Sequence, residues 1–457
     1  MDRCARNVSA ASIETPVDAA ARARFVREHV PSGGLFAGQT WRISPNPFSL
    51  SKEFVDQLNW LGRAVLQFYR AVNLLYRQSA ESKQPGWVAE LLDQGKPADL
   101  IVLQRSPAFR NDVPRVIRPD LVLTDEGFSI TELDSVPGGI GLTAWLNETY
   151  AAACNSGAEI IGARDGMLRG FESIFGKAER VHVVVSEEAK TYRPEMEWVA
   201  ERLGSRFKVQ SSKFNGFAEG DAAYRFFELF DLANVPNANA IFDLAEQKKV
   251  RLTPPPKTIF EEKLLFALLC NRNLREFWRQ SLGESFFKRL LAHVPYSWVV
   301  DPTPLPPHAA IPELGLTDWQ QLKSLSQRER ELILKVSGFS AEAWGARGVY
   351  LGSDLSHEEW SAAVDKAISS FDSSPYVLQR FEKPKAVETA WFDFETNEVK
   401  PMQGRVRLCP YYFVSGEGDA ARANLCGVLA TICPADKKII HGMKDAILTP
   451  CCVKRKT

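Results

Sequence analysis

A mixed α/β fold built from more than one packed unit is predicted by three features of this chain. A β-branched run at 181–185, a helix-patterned stretch at 194–203 and an apolar run at 207–210 make a β-α-β unit. Between 117 and 134, two strand-patterned segments are separated by Asp125-Glu126-Gly127, a hairpin turn. From 51 to 77, Phe54, Leu58, Leu61, Val65, Tyr69, Val72 and Leu75 recur at helical spacing, a long amphipathic helix. A length of 457 residues predicts two or three units.

The elements follow in order. Small residues near Ala19 read as a helix that ends in the turn Pro31-Ser32-Gly33-Gly34. Helical character resumes at 87–92 and breaks at Gly95-Lys96-Pro97, so 1–105 is a mostly helical region. Residues 106–180 carry the hairpin and a loop at 137–141. In the unit 181–250, Pro194 suits the first helical turn, and Glu195 and Glu197 lie near its positive end. It lacks the glycine fingerprint of a dinucleotide site. Within 251–448, residues 261–269 and 273–291 are helical, and five prolines make 299–312 a connector. Strands are expected at 331–336 and 376–381, a helix from Ser356 to Ile368 with Glu359 completing a capping box, and antiparallel strands at 389–394 and 406–414. Residues 449–457 read as a basic tail that includes Cys451-Cys452.

A 45% hydrophobic share supplies material for packed cores and argues against disorder. Basic and acidic residues both number 56, which argues against a nucleic-acid-coating protein and leaves little repulsion against homo-oligomer formation. Eight cysteines without a C-x-x-C pair read as scattered thiols. No secretory h-region and no membrane-spanning run occurs, so a cytoplasmic location is expected.

Three sets of residues are candidates for chemistry. Glu132 and Asp134, two apart on one strand, share a face, and hairpin pairing brings Asp120 alongside. Converging carboxylates suit Mg²⁺ or Mn²⁺ as metal ligands, and Arg118 on the same face suits a phosphoryl oxygen. The same pattern also fits a solvent-facing hairpin with ordinary surface acids. Lys335 ends an apolar strand and precedes Gly338, Gly345 and Gly348, a clamp for phosphates that Arg347 could also reach. A plain glycine-bearing turn fits equally. In the 376–381 strand, Gln379 and Phe381 could meet an adenine, or the strand could be a partly exposed edge. Lys263 on pattern alone is a surface helix lysine. Arg405 and Arg407 share a strand face, and the helix start at Tyr192-Arg193-Pro194-Glu195 suits a carboxylate substrate. Walker, kinase, G-x-S-x-G and H-E-x-x-H signals are absent.

Taken in order, these residues resemble the ATP-grasp superfamily, in its circularly permuted branch that includes glutathionylspermidine-synthase-like proteins and other carboxylate-amine ligases. R-P-D-L-V-L-T-D-E-G-F-S-I-T-E-L-D resembles the family's metal element moved to the front of the chain. The resemblance implies a small Rossmann-like substrate domain near 181–250. It also implies that Asp120, Glu132 and Asp134 hold Mg²⁺ and that Arg118 touches the transferred phosphate. Lys263 and Lys335 would be ATP lysines, Gly338 and Gly345 would belong to the flap, and Gln379 and Phe381 to the adenine side. Asp134 stands where the family usually has Asn. The implied activity is an ATP-dependent ligase that joins a small-molecule or peptide carboxylate to an amine or thiol. A phosphotransferase on the same scaffold and an inactive nucleotide-binding partner protein are the alternatives.

Overall fold

The computed structural model of the chain describes residues 18–31, 40–154, 159–343, 347–440 and 445–454. The turn expected at Ser32-Gly33-Gly34, Gly345, and the basic residues Arg455 and Lys456 lie outside them.

The amphipathic pattern from residue 51 produces the helix Lys52–Ala80, 29 residues and ~43 Å long, with Ser51 as its N-cap accepting the Phe54 N–H at 3.1 Å. Leu58, Leu61, Val65, Val72 and Leu75 on its apolar face are all buried. Each such side chain contributes roughly 1.5–3 kcal/mol by leaving water. The helix packs on the strand Arg422–Pro434, and Tyr412 from the neighbouring strand donates its hydroxyl to Leu58 O at 2.7 Å.

Three sheets organise the described residues. The largest has eight strands and runs in the order Phe48–Leu50, Ile447–Val453, Arg422–Pro434, Glu398–Ser415, Val116–Thr124, Gly127–Asp134, with Ala386–Asp393 and the two-residue Glu159–Ile160 as further partners. The expected hairpin therefore sits at one edge of it, and Ala386–Asp393 pairs antiparallel with 398–405 of Glu398–Ser415, whereas the expected strand 406–414 pairs with Arg422–Pro434 and Val116–Thr124 instead. The second sheet is antiparallel, in the order Val349–Leu351, Leu332–Val336, Tyr376–Arg380, Ser297–Val299. The third is fully parallel, in the order Phe207–Ser211, Val181–Val185, Ala222–Phe226, Arg251–Thr253. All five residues of Val181–Val185 are buried, as a strand covered on both faces requires. The capping box at Ser356 and Glu359 is present.

Several expectations are corrected. Residues 449–453 are not tail: they belong to the strand Ile447–Val453, which pairs with Phe48–Leu50 in parallel, so Cys451 and Cys452 are buried. The run 273–291 is two helices, Arg275–Leu282 and Glu284–Leu291, because Gly283 adopts the left-handed region (φ 81°) between them. The helix expected from 261 starts at Leu265, and the loop at 137–141 ends early, since the helix Ile140–Ala153 starts within it. Val299 closes a short strand rather than opening the connector. Ala98–Arg105 is a helix that periodicity did not reveal, its burial resting on only two residues. No helix among the described residues is long and apolar enough to cross a membrane.

Candidate active site

Hairpin register sets the first wall of the site. Arg118 lies opposite Asp134 and Asp120 opposite Glu132, with a register shift between Asp120 and Leu121. Arg118 joins the two aspartates, its Nε 3.0 Å from Asp120 Oδ1 and its Nη2 3.0 Å from Asp134 Oδ2, and it donates to Gly138 O at 3.1 Å. Arg407 reaches Asp120 Oδ2 at 3.2 Å from the neighbouring strand.

The second wall comes from the antiparallel sheet and the segment before it. Lys335 is buried and donates to Thr131 O and to Gln379 Oε1, both at 3.0 Å. Lys263 donates to Ala343 O at 2.8 Å and lies 3.4 Å from Glu132 Oε1. Gly338 opens the loop beyond Lys335 where a Cβ would stand 1.6 Å from Glu261 O, a contact that no side chain permits. Thus Arg118, Asp120, Glu132, Asp134, Lys263, Lys335, Gly338, Gln379 and Phe381 all line one cleft of about 340 Å³.

Charge pairing shapes the titration of these groups. Burial pushes the Asp120 carboxyl up, but the Arg118 and Arg407 guanidiniums outweigh it and hold it below the usual carboxylate range. Burial dominates at Asp134 and leaves it raised despite Arg118 and the Val136 N–H. Burial lowers the Lys335 ammonium to about 8, against the pull of Glu132. Glu228 and Glu261 also line the cleft; burial raises both, helped at Glu228 by the Glu261 carboxylate and opposed at Glu261 by Arg225 and the Leu229 N–H.

Three expectations about the site change. The carboxylates do not converge as a self-contained metal cluster: among the described residues no group of three His, Cys, Asp or Glu side chains could hold an ion. The reason is that Arg118 and Arg407 occupy the aspartates that hairpin geometry alone would leave repelling one another. Arg347 reaches Glu188 at 2.9 Å and is not part of the cleft lining. The helix start at Arg193 is not an open carboxylate seat, because Glu195 is buried and serves another helix. Its oxygens accept the Gly139 N–H at 2.7 Å and the Leu142 N–H at 3.2 Å, capping Ile140–Ala153.

No protein-family model matches the chain, and no curated protein matches it. A solved structure of a glutathione synthetase-like effector from Globodera pallida, in its apo form, superposes with a TM-score of 0.55 at 12% identity, covering 96% of this chain and 98% of that one. The likeness is one of fold, a mixed α/β architecture of several sheets. A putative gamma-glutamylcysteine synthetase from Methylobacillus flagellatus KT matches at 12% identity with a TM-score of 0.38, over 82% of this chain and 86% of that one, and carries no weight here.

Sequence reasoning missed Glu228, Glu261 and Lys96. Lys96 forms a fully buried pair with Glu262 at 2.6 Å, and Glu262 in turn holds the Ser337 hydroxyl and the Gly338 N–H at the mouth of the loop. The one available signal was the pair of acids between Phe260 and Leu264, both apolar and buried.

Glu195 supplies a test of this electrostatic account. Burial raises its carboxyl from about 4.5 to about 7, against the two N–H donors. A raised folded-state value means its stabilising contribution is complete below about 4.5 and is lost as pH rises through about 7. Urea denaturation of Glu195→Gln should therefore show wild type losing ground to the variant between pH 4.5 and 7. Parallel pH profiles for the two proteins would refute it.

Proposed function

We propose that the protein is an ATP-dependent ligase that activates a carboxylate as an acyl phosphate and transfers the acyl group to an amine or thiol. The observation that carries this reading is the meeting of two lysines, Lys263 and Lys335, with Glu132 and Asp134 in one cleft, although more than 130 residues separate Lys263 from Glu132 in the chain. Support from the fold is the ATP-grasp-like likeness at 12% identity. The order of segments, acidic hairpin first and lysines later, is read as circular permutation.

In this reading Lys263 and Lys335 neutralise the ATP phosphates, Gln379 and Phe381 meet the adenine, and Arg118 holds the transferred phosphoryl group. A carboxylate oxygen attacks the γ-phosphorus, the bond to the β-phosphate oxygen breaks and ADP leaves. The amine or thiol then attacks the acyl carbon, loses its proton and expels inorganic phosphate. The donor set fits a Mg²⁺ or Mn²⁺ ion that arrives with the nucleotide, since such an ion takes one or two carboxylates plus phosphate oxygens rather than a protein cage. Glu132 and Asp134, with side chains 37% and 26% exposed, are its candidate ligands, while Asp120 is held by arginines. When bound, the metal ion would polarise the phosphoryl oxygens.

ADP release in the presence of a carboxylate and an amine or thiol, scanned over amino acids and short peptides, tests the reading. Glu132→Gln should lower that release by about 10²-fold or more, on the scale of losing one group that stabilises developing charge. Unchanged turnover in the variant removes Glu132 from the mechanism. A second reading, nucleotide binding without turnover, is favoured by Asp134, whose extra negative charge stands near the triphosphate position. It predicts tight ATP binding and no ADP release with any acceptor.

A further inference from the structure

A second cleft, of about 720 Å³, shares no lining residue with the first. Its walls come from the helix Lys52–Ala80, the segment 109–115, the approach to Arg251–Thr253 and the loop after Glu398–Ser415. Five cationic side chains line it, Arg70, Arg77, Arg115, Lys248 and Arg251, against the acids Asp112, Glu417 and Asp419.

The pairing among them is uneven. Glu417 is shared between Arg115 and Arg251, so one carboxylate serves two guanidiniums. Lys248 stands 3.8 Å from Asp112. Arg70 donates to Gly418 O at 2.6 Å, and Arg77 donates to Arg110 O and Asn111 Oδ1, both at 3.1 Å. Neither of these two has a carboxylate within 4.0 Å among the described residues. Arg77 Nε is buried with no hydrogen-bond partner there. Burial lowers Arg77 and Arg251, and the neighbouring Arg110 and Arg115 push them further down.

We propose that this cleft binds a compact phosphorylated small molecule, with Arg77, Arg115 and Arg251 as its main ligands. Guanidinium forks match phosphate oxygens two at a time, and an added anion relieves the repulsion among the cations. The volume lies in the range of small-molecule sites, and the concave shape favours such a ligand over an extended polyanion. Glu417, 64% exposed on a loop, holds the position a ligand phosphate would take and acts as a resident competitor.

Titration calorimetry with inorganic tripolyphosphate as probe tests the proposal, on protein carrying Lys335→Met so that phosphate binding in the first cleft is weakened. Binding should persist in that background and weaken at least about tenfold when Arg77→Gln and Arg251→Gln are added. Glu417→Gln should strengthen it about three- to tenfold, a gain that misfolding cannot produce. Loss of binding in the Lys335→Met protein, or indifference to both the arginine changes and Glu417→Gln, overturns the proposal. Citrate binding as tightly as tripolyphosphate overturns the assignment to phosphate.

Discussion

Lys335→Met is expected to reduce ATP-dependent turnover by about 10²- to 10³-fold while leaving the protein folded. The ammonium is buried and spends two of its three donors on Thr131 O and Gln379 Oε1, which fixes it between the acidic hairpin and the strand that carries Gln379. Methionine removes the cost of burying a charge but leaves two acceptors unpartnered, so the net stability change should be small. Sign follows from the direction of the shift. The folded-state value of about 8 is lower than the ordinary 10.5, so the unfolded chain binds more protons between those values. The burden, on the order of 3 kcal/mol, is therefore complete below about 8 and fades as pH rises towards 10.5. Phosphate binding needs the ammonium, so kcat/KM should fall as pH rises through about 8 in the wild type. Turnover within about threefold of wild type in Lys335→Met would exclude this lysine from the phosphate site.

Lys96→Met should cost about 3–5 kcal/mol of stability, the penalty for breaking a buried ion pair from one side. Both partners are 1% exposed, and Lys96 also lies 5.8 Å from the centre of the Phe339 ring. What remains at Glu262 is the Ser337 hydroxyl and the Gly338 N–H, insufficient compensation for a buried carboxylate. Because those two residues start the loop beyond Lys335, the same change should speed hydrogen exchange at 337–340 and raise the KM for ATP. Lys96→Met combined with Glu262→Gln should recover most of the stability, since a neutral amide still accepts from Ser337. A loss below about 1 kcal/mol in the single variant would show that the pair is not what anchors the loop.

Much of the local structure was legible in the residues themselves. The helix from Lys52 with its Ser51 cap, the capping box at Ser356 and the register partners Asp120 and Glu132 all depend on contacts within a few residues or across one tight turn, and the β-branched run Val181–Val185 marks a buried strand by its composition. Period-two and period-3.6 patterns encode such contacts directly. Glycine at 338 was read as a phosphate clamp, whereas the structure adds a second reason for it, the approach of Glu261 O.

Tertiary structure decided which charges meet. Arg407 reaches Asp120 across 287 residues, Lys335 reaches Thr131 across 204, and Glu195 caps a helix that starts some 55 residues before it. Cys451 and Cys452 are buried in a strand held between Phe48–Leu50, Glu159–Ile160 and Arg422–Pro434, the first two distant from it in the chain. Local pattern cannot encode these pairings, since sheet order and register set them and one carboxylate matches any arginine brought within reach. The sequence alone thus determined the helix Lys52–Ala80, the capped helix after Ser356, the hairpin and most of the candidate groups of the cleft. The fold then paired Asp120 with Arg118 and Arg407 and set Asp134 against Arg118, and so decided that the two aspartates of the hairpin meet arginines rather than standing alone.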